Sequence, residues 1–197
     1  MMSTLRPLIA RSLQAAVIAA ALVAPAFAAS YEIDPTHTSA VFNIIHLGFS
    51  KVQGAIKELS GTFTFDEAKP EQSAIAVKAK AASIDTFNEA RDKHLRGADF
   101  FDVEKYPTLE FKSKSWKKTG DKAYDVTGDF TLHGVTKSIT VPVTLVGMGK
   151  GMKGEERAGF SASFKIKRSE FGMNQMLGST MIGDEVTIEV STEGVKK

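Results

Sequence analysis

From Phe42 to Val190 the chain alternates apolar and polar residues in one short run after another. A period of two is the pattern of strands that bury a single face. The apolar parity holds Phe42 and Ile44; Phe63 and Phe65; Ile75, Val77 and Ala79; Leu109 and Phe111; Tyr124, Val126, Phe130 and Leu132; Ile139, Val141, Val143 and Leu145; Phe160, Phe164 and Ile166; and Val186, Ile188 and Val190. Turn signals at Asp66 to Pro70, Thr119 to Asp121, His133-Gly134 and Gly147 to Gly154 punctuate the runs. About eight one-faced strands with a single short helix have two ways to hide their apolar faces, a sandwich of two sheets or one sheet closed on itself. Sequential hairpins favour an eight-stranded antiparallel up-and-down β-barrel, which also removes exposed sheet edges. A barrel of that size has room for one small ligand. On pattern alone, a barrel filled by its own side chains and a barrel around a ligand remain equally open, since thirteen Phe and one Trp suit either.

One stretch breaks the alternation. Phe87 to Arg96 is charge-dense and helically spaced, with Thr86 and Glu89 in capping-box relation and Gly97 placed to end it. The expected helix, about residues 87–96, belongs near the barrel mouth. Helical spacing puts Phe87, Arg91, His94, Leu95 and Ala98 on one face and Asp92 on a more solvated flank with Arg96. Arg91 is then the charged group on the apolar face, and it needs an acceptor from a protein carboxylate or a ligand head group.

The N-terminus predicts export. Arg6 and Arg11 precede an apolar run from Leu13 to Ala24, and Ala26-Phe27-Ala28 is a cleavage signature, so residues 1–28 read as a signal peptide cut after Ala28. The run is too short to span a bilayer. The expectation is a single domain over residues 29–197, in the periplasm, with no transmembrane segment after processing. Removing the signal takes two arginines from the 25 Lys+Arg and nothing from the 23 Asp+Glu, leaving 23 against 23. A neutral chain with interspersed charges makes no electrostatic case for nucleic acid. The absence of cysteine excludes disulfides and thiolate metal sites.

Candidate chemistry is sparse. His37, His46, His94 and His133 lack the short paired spacings of metal ligands, so neither a metal nor another cofactor is expected. No G-x-S-x-G elbow is present. Arg91, Asp92 and His94 lie within four residues, but helical spacing directs Asp92 away from Arg91, and no catalytic residue is assigned. The segment from Arg168 to Gly178, with Met173, Met176 and Leu177, joins two strands as either a flexible flap over the mouth or a packed loop.

Several motifs, taken in order, resemble the YceI-like family: Tyr31 to Asp34, His37 to Ser39, His46 to Gly48, Gly61 to Phe63, Ser83 to Thr86, Arg91 to Leu95, Asp99 to Asp102, Tyr106-Pro107, Gly128 to Lys137, Ala158 to Phe160 and Arg168 to Gly172. The resemblance covers essentially the whole chain after the signal. It implies a lipocalin-like barrel, exported to the periplasm, whose apolar tube binds a polyisoprenoid, fatty acid or fatty amide. Two positions depart from the family pattern, Ile45 where a polar outward residue is usual and Ser138 where Pro often follows the Lys.

The resulting expectation is a lipid-binding protein for transport, storage or sequestration, not an enzyme. A homodimer is compatible with the sequence. Residues expected to line the lumen are Phe42, Ile44, Phe63, Ile75, Val77, Leu109, Phe111, Phe130, Leu132, Val141, Phe160 and Phe164, with Arg91, His46 and Asn43 as head-group candidates. At roughly 0.8 kcal/mol per buried CH₂, an enclosed chain of about twenty carbons yields on the order of 16 kcal/mol gross, so affinity needs little head-group recognition. The alternatives are an isoprenoid-processing enzyme using the Arg91, Asp92 and His94 region, and an envelope stress protein with a filled barrel that acts through its surface.

Overall fold

The computed structural model describes residues 28–178 and 180–197; the expected signal peptide, but for Ala28, lies outside the described residues. Eleven antiparallel strand segments form one sheet: β1 (Ala29–Ile33), β2 (Ser39–His46), β3 (Ser50–Ile56), β4 (Leu59–Phe65), β5 (Ala74–Lys80), β6 (Ile84–Asp85), β7 (Thr108–Gly120), β8 (Ala123–Leu132), β9 (Val135–Lys150), β10 (Glu156–Lys167) and β11 (Ile182–Lys196). A short helix, α1 (Glu89–Arg96), lies between β6 and β7. The ring runs β1-β4-β5-β7-β8-β9-β10-β11 and returns from β11 to β1, which closes the expected eight-stranded barrel. Among the described residues no helix is long and apolar enough to cross a membrane.

Segments outnumber ring positions because three long courses are broken, β1–β2, β3–β4 and β5–β6, the last at Ala81 to Ser83. β1 pairs with the C-terminal end of β11 and β2 with its N-terminal part, so β1 and β2 are one course interrupted at Asp34 to Thr38. The break is local chemistry: Pro35 opens a 3₁₀ turn, and the Asp34 carboxylate accepts the Thr36 N–H at 3.0 Å. β3 and β4 are interrupted at Lys57 and Glu58, whose amides both donate to the Ser83 hydroxyl, at 3.1 and 3.0 Å. The β8–β9 hairpin is tighter. His133 and Gly134 take φ of 51° and 73°, the left-handed pair of a two-residue turn, and Gly134 leaves space for the Tyr106 ring, which a Cβ would meet at 2.4 Å.

Two aromatic-rich clusters divide the interior. One contains Tyr31, Phe63, Phe65, Trp116, Tyr124 and Phe160, with Tyr31 stacked on Phe63 at 4.8 Å between centroids. It lies where β1 and β11 seal the ring. Gly194, opposite Ile33 on β1, has no room for a Cβ, which would come within 2.4 Å of the Phe63 ring. The other cluster contains Phe100, Phe130, Leu132, Ile166, Phe171 and Met173, near α1 and the segment after β10. A bulge in β7 decides which residues meet inside. Ser113 pairs with Gly128 and Ser115 with Thr127, so Lys114 is extra and the inward parity moves from Leu109 and Phe111 to Trp116.

A charged latch sits outside the sealed end. Arg157 donates to Asp34 at 2.9 Å, Glu155 at 2.8 Å and Glu193 at 2.9 Å, tying the β1–β2 break to β10 and β11. Hydrogen bonds from Thr36, His37 and Arg157 hold the Asp34 carboxyl well below the usual carboxylate range. The folded state therefore binds this proton less readily than the unfolded chain. Its stabilisation is complete above the unfolded pKa of about 3.9 and fades as pH falls towards the folded one. Urea denaturation of the wild type should show stability dropping between about pH 5 and pH 3, and Asp34→Asn should flatten that slope while lowering stability at neutral pH.

Candidate functional site

Between the two clusters the barrel is not filled. A cavity of about 290 Å³ remains, with an almost wholly apolar wall. Phe42, Ile44, Ile75, Val77, Leu109, Phe111, Phe130, Leu132, Val141, Phe160 and Phe164 reach that wall, as do His46 and Arg91. The barrel periodicity places the strand residues among these inside because each occupies the inward parity of its strand, and Arg91 comes from α1. Phe42 needs one further concession: its ring lies over Gly54 on β3, where a Cβ would approach Phe42 Cζ to 2.5 Å.

Two expected residues lie elsewhere. Phe63 is packed into the sealed end against Tyr31 and Phe160 and does not reach the cavity wall. Its strand parity is inward, but the ring narrows around β1 and leaves no free space there. Asn43 points the other way, into an external cleft with Lys51, Lys165 and Glu185. It alternates with Phe42 and Ile44 along β2, so it takes the outer face when they take the inner one. Ile45 is on that outer side as well, under the bulge that displaces Gly183 to Glu185 from register with β2.

The helix also differs from expectation, and the difference rearranges its charges. It begins at Glu89 with Asn88 as cap, whose side chain accepts the Arg91 N–H at 3.0 Å. Phe87 is not helical: its φ is 63°, and its amide donates to Asp85. The Thr86–Glu89 capping box does not form. Instead the Thr86 N–H and hydroxyl donate to Asp92 Oδ1 at 2.8 and 2.5 Å, and both residues are buried. The expected face is thus split: Arg91 and Leu95 reach the cavity wall, Phe87, His94 and Ala98 are exposed, and Asp92 is buried instead of solvated. A buried carboxylate satisfied by two local donors overrides helical apolar periodicity. Arg91 lies over the same threonine, donating to its hydroxyl at 2.7 Å and its carbonyl at 2.6 Å. Arg96 fastens the helix to the chain before it, through Ala82 O and Ile84 O at 2.9 Å each. His94 meets Asp99 at 3.4 Å on the exposed side and is absent from the cavity wall, so the Arg91, Asp92 and His94 group does not converge on enclosed space.

Among the cavity residues that sequence reasoning missed, Arg168 and Trp116 matter most. Arg168 is buried and reaches the wall, yet no carboxylate pairs with it there. Its guanidinium donates to four backbone carbonyls: Gly183 at 2.9 Å, Met173 at 2.6 Å, Gln175 at 2.9 Å and Ile182 at 3.1 Å. Burial lowers its pKa, with Asp184 pulling it back up. Asp184 in turn accepts Ser169 N–H and Oγ–H, both at 2.9 Å. The first half of the Arg168 to Gly178 segment is therefore packed, with Phe171 and Met173 buried, whereas Met176 and Leu177 are exposed. The basic residue in a strand-ending R-S-E-F-G run was visible, but its role depends on carbonyls brought from β11. The second missed residue, Trp116, was hidden by the β7 bulge, which shifts parity by one.

This geometry defines a calyx, a closed antiparallel barrel around an apolar chamber capped by a helix and a pinned loop. Residues 31–194 match the YceI-like domain model, and the chain belongs to that family. It is 45% identical over 174 residues to a UPF0312 protein of Pseudomonas putida, covering 87% of this chain and 89% of that one. The Campylobacter jejuni YCEI protein superposes with a TM-score of 0.70 at 31% identity, covering 94% of this chain and 99% of that one. A polyisoprenoid binding domain from Saccharophagus degradans shares the fold at 14% identity, with a TM-score of 0.68 and coverage of 86% and 99%.

Arg168→Met should strand four carbonyl acceptors while keeping most of the aliphatic packing. The expected cost is about 3 kcal/mol or more in urea denaturation, accompanied by faster amide exchange over residues 173–183.

Proposed function

We propose that this protein binds a hydrophobic chain, a polyisoprenoid or a fatty acid or amide, inside the barrel and carries, stores or sequesters it in the periplasm after export by its N-terminal segment. The observation that carries this reading is an apolar chamber of about 290 Å³ left open between two packed clusters, in a barrel that the same side chains had every means to fill. The relative from Saccharophagus degradans described as polyisoprenoid binding supports the class of ligand.

Chamber size refines the energetics. A cavity of about 150 Å³ admits benzene, so roughly twice that volume takes about a dozen carbons. Burying about a dozen CH₂ groups is worth on the order of 10 kcal/mol gross, against association costs of about 4 to 15 kcal/mol. A chain that ends inside therefore binds modestly. Longer chains gain by running on past the chamber, over the β2–β3 hairpin tip and the segment before β11. Leu47 donates to Met181 O there, and Leu47, Phe49, Met176, Leu177 and Met181 already present exposed apolar surface.

Mass spectrometry of mild organic extracts from protein purified out of the periplasm should reveal a co-purified lipid. An empty extract, together with no uptake of fluorescent prenyl or fatty probes, would count against the reading. Val77→Phe projects a ring into the chamber; it should cut probe affinity by about tenfold or more while changing stability by no more than about 1–3 kcal/mol.

A further inference from the structure

Among the described residues, two buried side-chain atoms have no hydrogen-bond partner, Trp116 Nε1 and Tyr124 Oη. They are neighbours, with ring centroids 5.9 Å apart, on the facing strands β7 and β8. Trp116 is 4% exposed and Tyr124 1%. Trp116 also forms part of the cavity wall at the sealed end, where Phe160 and Val126 are its companions. If aromatic bulk were all that this end required, phenylalanine would supply it without a buried donor left unmade, which folded proteins avoid.

The rest of the cavity wall is different. Arg91 is engaged by Thr86, Arg168 by four carbonyls, and Thr192 by the Thr38 hydroxyl at 3.0 Å. Glu110 is bound by Lys78 at 3.1 Å, at the end of β7 nearer the helix. The charged side chains on the wall, Arg91, Glu110 and Arg168, all lie towards the helix or the pinned loop, away from Trp116. The buried group of the wall left unmatched is thus at the deep end, the uncharged Trp116 N–H donor, whereas His46 stands exposed at the mouth. Burial keeps the Tyr124 phenol protonated by raising its pKa, so it remains a donor across the physiological range.

We propose that the sealed end of the cavity is a subsite for an uncharged hydrogen-bond acceptor, a carbonyl oxygen carried at the inner end of the ligand, with Trp116 Nε1–H as donor and Tyr124 Oη–H as its neighbour. This rests on the lipid-binding reading and deepens it by naming a chemical class and an orientation. Ketones, amides and esters that enter with the carbonyl first satisfy the subsite. A carboxylate or diphosphate does not, because no cation is there to compensate its desolvation. The helix end, where Arg91 and Arg168 are already engaged, faces the trailing hydrocarbon.

The test compares 2-undecanone with its isosteric hydrocarbon 2-methylundecane, on the wild type and on Trp116→Phe, which removes the N–H and keeps an aromatic ring. Titrations followed by NMR of the ¹⁵N-labelled protein give affinities and report the indole N–H directly. The ketone should lose about tenfold in affinity on Trp116→Phe while the hydrocarbon is unchanged, and only the ketone should move the wild-type indole N–H downfield. Equal losses for both ligands would show that Trp116 acts by packing, and would overturn the proposal. An unmoved indole resonance with bound ketone would overturn it too, and that measurement decides the matter even if the variant does not fold. Hydrocarbon binding without any effect of the carbonyl defeats this inference alone; failure of the wild type to bind either ligand, or any fatty or prenyl probe, defeats the lipid-binding reading as well.

Discussion

The pairing of β1 with β11 around the Tyr31, Phe63 and Gly194 contact is what the cavity depends on. Strands with one apolar face bury it here by curling one sheet onto itself, and curling leaves two edges that must find each other. Here they meet over three residue pairs, Tyr31 to Ile33 against Lys196 to Gly194. So short a seam needs support from both sides. Inside, Phe63 stacks on Tyr31 in the space that a side chain at position 194 would have taken. Outside, Arg157 joins Asp34 and Glu193 across the same strands. The aromatic cluster stops the barrel from collapsing further at this end, and the chamber begins where it stops.

The other end is held by polar groups with local partners rather than by sheet pairing. Thr86 occupies Asp92 and Arg91 together, Arg96 caps two carbonyls of the preceding chain, and Arg168 gathers four carbonyls from both flanks of the loop before β11. Asp92 and Arg168 are buried charges and Arg96 a half-buried one, made tolerable by hydrogen bonds, the condition under which such groups persist in proteins. The division of labour has a functional consequence. The sealed end is rigid and aromatic, with two donors unspent, whereas the loop end exposes Met176, Leu177 and Met181 beside the hairpin tip. On the lipid-binding proposal, a hydrophobic guest would be held at the first end and enter at the second.

Phe63 and Trp116 show how far residue patterns reach. Both are aromatic and both belong to strands that were legible from alternation. Phe63 was expected in the lumen, but it stands at the level where the ring is already full. Trp116 was on the wrong parity for the lumen until Lys114 bulged out of register. The helix gives the same lesson in polar form. Its existence and its end at Gly97 were readable, yet with Asn88 rather than Thr86 as cap the expected face is split and Asp92, expected in solvent, is buried.

Alternation by itself determined about eight one-faced antiparallel strands with one short helix, which leaves a two-sheet sandwich or a closed barrel and, with sequential hairpins, favours the barrel; the β1–β11 pairing closed it. The order of its motifs determined the family. Only the tertiary structure decided that the barrel holds an open chamber, how large it is, and where its polar groups lie. Volume and hydrogen-bond satisfaction depend on bulges, broken strands and carbonyls contributed from distant segments. A two-residue period carries no record of these.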